Sequence, residues 1–453
     1  VAAAFRRAQP AACERRRIGQ RRSVKEVDSM SAHNRRAIWS WALFDFANSP
    51  FTTLVVTFVY ATYFTQAIAA DPITGTALWS RAITITAIVV AVFSPLLGAL
   101  ADRGGYRKLF VLISSGVCIV GTTGLYFVEP GHVVSALVLV VVANIAFEFA
   151  TVFYNAFLPD ISPPGRIGAI SGLGWGLGFF GGLLALALAL VALVNPEQPW
   201  FGFVRDQGEN IRATNLLVAL WFLVFSIPLG IWVSEDKSRI SRPGAVVRQS
   251  LEQLRNTFTQ VRKYREIVRF LIARLFFNDG LVTIFAFGGI YAAETFGFTL
   301  ERVLVFGIVI NLAAGVGAIA MGYLDDHLGA KTTIVVSLVG LIAATVMAVV
   351  ATADWAFWTA GLLIGIFAGP NQSASRSLMG RFVPHKLENE FFGFFAFSGK
   401  LTAFLGPFLL GVLTQASGSQ RVGVAVVLLL FVIGLGILLT VDERAGCAVR
   451  ERK

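Results

Sequence analysis

Stretches of about twenty predominantly apolar residues recur along nearly the whole chain, and they constrain its fold more than any motif does. A helix of about 20 residues crosses the roughly 30 Å hydrocarbon core of a bilayer. Twelve segments qualify, near 37–69, 80–101, 109–128, 133–158, 167–194, 214–234, 265–296, 303–324, 332–352, 356–380, 391–415 and 421–441. The expected fold class is therefore an all-α integral membrane protein with twelve transmembrane helices. Composition agrees: 14% of residues are charged, where a soluble domain carries about 25%.

The connections set an orientation. With the N-terminus in the cytoplasm, the even-numbered connections hold Arg103, Arg107 and Lys108, then Arg166, a basic stretch from Lys237 to Arg269, Lys331, and Arg381 with Lys386. The opposite connections are poor in base. Lys and Arg favour the inner side, so both termini are expected to be cytoplasmic, in the plasma membrane if the source is bacterial. Residues 1–36 are strongly basic, from Arg6 to Arg36. They read as a solvated cytoplasmic tail rather than a nucleic-acid arm, and Met30 raises the expectation that 1–29 is not native. Cys13, Cys118 and Cys447 are scattered, so neither a disulfide framework nor a zinc pattern is expected. No nucleotide loop or nucleophile triad is present, so neither enzyme activity nor a cofactor is expected.

Residues 235–264 form the longest internal polar segment. Val247, Leu251, Leu254, Phe258 and Val261 recur at helical spacing, and Arg248, Arg255 and Arg262 mark another face. This predicts an amphipathic helix on the inner membrane surface. It divides a bundle at 37–234 from one at 265–442, with a tail at 443–453.

The two parts repeat. G-A-L-A-D-R-G-G-Y-R-K at 98–108 matches G-Y-L-D-D-H-L-G-A-K-T at 322–332, pairing Gly98 with Gly322, Asp102 with Asp326, Gly105 with Gly329 and Arg107 with Lys331. Duplication is a common architecture among secondary transporters. The pattern resembles the cytoplasmic loop signature of the major facilitator superfamily, which implies two pseudo-symmetric six-helix bundles. Gly98 permits close helix approach, and Asp102 can accept hydrogen bonds from a helix N-terminus or pair with a base. Gly98, Asp102, Arg103, Arg107, Lys108, Asp326 and Lys331 are expected to latch the outward-facing state. A basic hairpin that only sets topology is the alternative.

An ionisable group inside a membrane helix costs about 2.5–3.5 kcal/mol on insertion scales and is a functional candidate by default. Asn144, Glu148, Thr151 and Asn155 share an arc of about 60° on one helix. Asp45, Asn48 and Thr52 share a face of the first helix, where Pro50 leaves the carbonyl near Phe46 without its usual donor. Asp45 reads either as a coupling group or as an interfacial carboxylate paired with a base. The seventh segment opens with Arg274, Asn278 and Asp279; the tenth carries Asn371, Gln372, Ser375 and Arg376. Arg376 lies toward the cytoplasmic end. Lys400 lies too deep to snorkel and needs an acidic partner or an anionic substrate group. In the fifth helix, Gly168, Gly172 and Gly176, and Gly174, Gly178 and Gly182, form two small-residue faces suited to close packing.

W-A-L-F-D-F-A-N-S-P-F, F-F-N-D-G, N-Q-S-A-S-R-S-L and E-F-F-G…S-G-K…G-P together resemble the vacuole effluxer-like branch, related to the autophagy-linked vacuolar amino acid permease. The resemblance implies a monomeric secondary transporter that exports small solutes, such as amino acids, by alternating access. Asp45, Asn48, Asn144, Glu148, Asn155, Asn278, Asp279, Asn371, Gln372 and Lys400 are the expected substrate or proton-coupling groups, and Arg376 joins the gating set. The expected partners are a small-molecule substrate, protons and the bilayer, with no nucleic acid. A transport-inactive sensor and a lipid flippase on the same fold are the alternatives.

Overall fold

The computed structural model describes residues 24–235 and 246–451. The expectations for the basic residues Arg6 to Arg22 and for Lys237 lie outside the described residues. The first part contains α1 (Val24–Pro50), α2 (Pro72–Gly104), α3 (Arg107–Leu125), α4 (Val133–Asn155), α5 (Ile167–Ala189) and α6 (Glu209–Trp232). The connector carries α7 (Val246–Thr259). The second part contains α8 (Arg265–Phe296), α9 (Leu300–Leu328), α10 (Ala330–Val350), α11 (Asp354–Phe382), α12 (Glu388–Lys400), α13 (Leu405–Ser417) and α14 (Gln420–Leu439), followed by α15 (Glu443–Glu451).

Among the described residues, 11 helices are long and apolar enough to cross a membrane. The tenth expected segment, α11, is a 29-residue helix outside that set, because its run G-P-N-Q-S-A-S-R-S dilutes its apolar character. The eleventh expected segment is one apolar stretch but two helices, α12 and α13, interrupted at 401–404. Gly406 N, at the start of α13, donates to Asp279 Oδ2 on α8 at 3.0 Å. Residues 443–451 are a helix packed on the bundle rather than a free tail. Cys447 and Val449 are buried, and Arg450 Nη1 donates to the Gly380 and Val383 carbonyls.

The first segment bends where its proline requires. Pro50 has no N–H to give the Phe46 carbonyl, and that oxygen instead accepts from Trp221 Nε1 of α6 at 3.1 Å. The Phe46 and Trp221 rings stack at 5.1 Å. Beyond Pro50 the chain continues as a π-helix over Phe51–Phe58, with Val59 N donating to Leu54 O. Local π-helix of this kind is frequent at functional sites.

Contacts between the two parts cluster at the end where α2 meets α3 and α9 meets α10. A Cβ on Gly172 would lie 2.3 Å from Ala318 O of α9, and one on Gly98 would lie 2.3 Å from Asn389 O. Gly393 is similarly pressed on Ser94. The other glycine face of α5 packs on α1, where a Cβ on Gly178 would meet Ser49. Each of the two predicted small-residue faces therefore serves a different neighbour.

Candidate functional site

The repeated loops place their carboxylates on helix N-termini, where backbone N–H groups lack partners within their own helix and favour negative charge. Asp102 accepts from Asn389 N at 3.1 Å and Glu390 N at 2.9 Å, both in the first turn of α12. Asp326 accepts from Gly168 N at 2.7 Å and Ala169 N at 2.9 Å, in the first turn of α5. Each carboxylate thus crosses from one part of the chain to the other. Gly105 (φ 65°) and Gly329 (φ 93°) end α2 and α9 with positive φ, which explains glycine at both repeat positions.

The pairing of Arg107 with Lys331 is corrected by one residue. Lys108 Nζ donates to Val233 O, and Lys331 Nζ donates to Leu439 and Val441. Lys108 is therefore the structural counterpart of Lys331, and the helices of the repeat begin at Arg107 and Ala330. Arg107 does other work. It pairs with Asp160 at 2.6 Å, reaches Glu388 at 3.6 Å, and donates to Ala156 O. Arg103 is exposed at the same end.

A second repeat escaped the sequence reading. Val233-Ser234-Glu235 follows α6, and Val441-Asp442-Glu443 follows α14. Glu235 accepts from the N–H groups of Arg107 and Lys108 at the start of α3; Glu443 accepts from Ala330 N at the start of α10. Burial holds both carboxyls above the usual glutamate range. The signal in the sequence was the shared V-x-E after each apolar run.

Toward the interior, two ion pairs join the parts. Arg376 of α11 meets Asp45 of α1 at 2.8 Å, with side-chain exposures of 3% and 14%. Arg376 also donates to Asn155 Oδ1 at 3.2 Å, Ser171 Oγ at 3.0 Å and Ser171 O at 2.7 Å. Its guanidinium lies over the rings of Trp41, Trp175 and Tyr154, at 4.7, 5.6 and 5.8 Å. Gly174 makes room: a Cβ there would lie 2.6 Å from Asp45 Oδ2. The second pair is Lys400 at the end of α12 with Glu148 of α4, at 2.6 Å. This gives Lys400 the acidic partner its depth demands.

The other predicted polar groups divide. Asn278 Nδ2 donates to Gly399 O at 3.2 Å, and Gln372 Nε2 approaches Asn278 Oδ1 at 3.5 Å, beside Lys400. Asn48 and Asn144 are buried on α1 and α4. Asn371 points elsewhere, to Ser337 Oγ of α10 at 3.0 Å, so it is not grouped with Gln372. Asp279 caps α13 and does not meet Lys400. Arg274 stands outside the expected substrate and gating sets. It is buried against α12, donating to Phe395 O and Ser398 Oγ, with Phe395 ring 3.6 Å from its guanidinium. Two interior acids of the first part, Asp45 and Glu148, thus meet two bases of the second, Arg376 and Lys400, while Asp279 and Arg274 bond within the second part.

Residues 72–450 match the family model described as vacuole effluxer Atg22 like. The chain belongs to the vacuole effluxer Atg22-like family. It is 29% identical over 419 residues to the uncharacterized MFS-type transporter YxiO of Bacillus subtilis, covering 91% of this chain and 96% of that protein. Autophagy-related protein 22-1 of Penicillium rubens is 22% identical over 450 residues, covering 80% and 74%. Among solved structures, the proton:xylose symporter XylE superposes with a TM-score of 0.73 at 11% identity, covering 91% and 96%. The Escherichia coli fucose:proton symporter FucP does so at 0.70 and 11%, covering 90% and 98%. This Atg22-like chain thus has the major facilitator fold and is a multi-pass membrane transporter of that type.

Proposed function

We propose that this Atg22-like transporter moves a small zwitterionic solute, of the amino acid class, by proton-coupled alternating access. The two six-helix bundles, 37–234 and 265–442, rock about the interior charges. The observation that carries the reading is the charge segregation across two ion pairs, Asp45–Arg376 and Glu148–Lys400. When the bundles part, Asp45 and Glu148 are left on one wall and Arg376 and Lys400 on the other, and a zwitterion fits between them with its ammonium on these acids and its carboxylate on these bases. Glu148 and Asp45 then become available to protons. With both termini cytoplasmic, the described conformation is outward-facing. Asp102, Asp326 and Arg107, which reach across to the other part, latch its inner end, and Arg376 seals the path above them; Lys108 and Lys331 brace the ends of their own bundles. The transporter acts as a monomer, and export is the direction the family suggests.

The test is uptake and counterflow of labelled neutral amino acids in proteoliposomes under an imposed pH gradient. Wild type moves at least one of them. Glu148→Gln loses the response to the gradient, and Lys400→Met, which removes one of the bases that hold the carboxylate, weakens binding. If no amino acid moves and Glu148→Gln and Asp45→Asn bind whatever wild type binds, the reading fails.

A further inference from the structure

The connecting helix α7 presents three faces, and they are not the ones an ordinary packed amphipathic helix shows. Its protein-facing side buries Val246, Ser250 and Gln253. Ser250 Oγ donates to Ala99 O of α2 at 3.2 Å, and Gln253 Nε2 donates to Glu390 Oε2 of α12. Its apolar side is turned outward: Val247, Leu251 and Phe258 are 60%, 51% and 62% exposed. Arg248 and Arg255 are exposed on a third side, where Arg248 also pairs with Glu252 at 2.9 Å, and Arg262 is exposed in the short turn that follows α7. At about 100° per residue, the apolar stripe lies between the buried face and the arginine face.

That order matches a helix lying flat where a bilayer meets water. Ala99, which α7 touches, lies near the end of α2. The same helix leaves Ile88, Val92 and Phe93 exposed farther along, so apolar surface continues from the membrane-crossing part toward α7. The apolar stripe then meets acyl chains, and the arginines, pointing away from the bundle, meet the headgroups. An Arg face attracts anionic headgroups over neutral ones.

The grip of α7 spans both parts of the chain. It holds α2 through Ser250, and α12 through Gln253 and through Phe258, whose ring lies 5.6 Å from that of Phe394. Glu390, which Gln253 holds by its side chain, gives its backbone N–H to Asp102. The helix therefore clasps the junction between α2 and α12 only while that junction is closed.

We propose that α7 is a lipid-charge sensor: anionic headgroups bind Arg248, Arg255 and Arg262 and, through the clasp of Gln253 on Glu390, hold the Asp102 end of the transporter shut. An anionic lipid that binds α7 only in its clasped position must shift the population toward the closed form.

The test needs no substrate, so its failure is separable from that of the transport reading. Spin labels are placed at exposed Arg166 and Lys386 of this chain with Cys13, Cys118 and Cys447 replaced by Ser. The interlabel distance distribution is read in vesicles of phosphatidylcholine alone and with phosphatidylglycerol. The closed-end population of wild type rises several-fold in the anionic vesicles. Arg248→Gln with Arg255→Gln and Arg262→Gln does not respond, whereas lysine at the three sites still does. Gln253→Leu, which leaves the arginines in place, responds less than wild type. Equal distributions in the two vesicles, or a full response from the glutamine variant, overturn the proposal.

Discussion

Arg376 has its donors directed at Asp45, Asn155 and Ser171 and its flat face against three aromatic rings, so it is satisfied only while α1, α4, α5 and α11 stay together. Removing one member of a buried ion pair strands the other, at a cost of about 3–5 kcal/mol. Asp45→Asn and Arg376→Gln are each expected to lower stability on this scale. The double variant should lose clearly less than the two losses summed. Thermal unfolding in detergent measures this, and strict additivity would show that the two groups do not interact. Residue chemistry was legible in part. The depth of Lys400 demanded a counter-charge, and Asp102 was readable as an acceptor for a helix N-terminus. Its partners were not readable, because Asp45 and Arg376 are 331 positions apart, and no local pattern links residues at that separation.

Pro50 shows how one residue type shapes an element and its neighbour. The freed Phe46 carbonyl and its Trp221 donor predict that Trp221→Phe destabilises by about 1–3 kcal/mol, the cost of an unpaired buried acceptor. In a Pro50→Ala background the residue-50 N–H returns to that carbonyl, and Trp221→Phe should then be nearly silent. Denaturation of the four proteins compares them directly; an equal loss in both backgrounds would show that the Trp221 hydrogen bond is not what matters. The V-x-E caps make a pH prediction. Burial raises the Glu443 carboxyl, so the folded state binds its proton more readily than the unfolded state does. Its contribution is fully present below the unfolded value and is lost as pH rises through the folded one. Thermal stability against pH should therefore carry a falling component across weakly acidic pH that Glu443→Gln lacks; parallel curves would refute it. At this scale eleven membrane-crossing helices were legible from apolar length, whereas α11, diluted by its polar run, is not declared by that criterion. The break between α12 and α13 was not. Its residues L-T-A-F are apolar enough to read as continuous helix, and the acceptor that caps the new start, Asp279, sits on another element.

Across the whole molecule, duplication was legible and its register nearly so. Asp102 and Asp326 aligned correctly, and the one-residue slip at Lys331 arose because only backbone capping reveals where α3 and α10 begin. The three faces of α7 were half legible. The stripe of apolar residues and the arginines were plain, but which side turns inward depended on polar contacts with α2 and α12. The central claim is that two carboxylates, each seated on a helix N-terminus of the other half, hold one end of the transporter closed. The spin-label pair at Arg166 and Lys386 tests it most directly, comparing wild type with Asp102→Asn plus Asp326→Asn in the same bilayer. The account predicts that the doubly substituted protein shifts from the short interlabel distance to a longer one. Coincident distance distributions for the two proteins would contradict it.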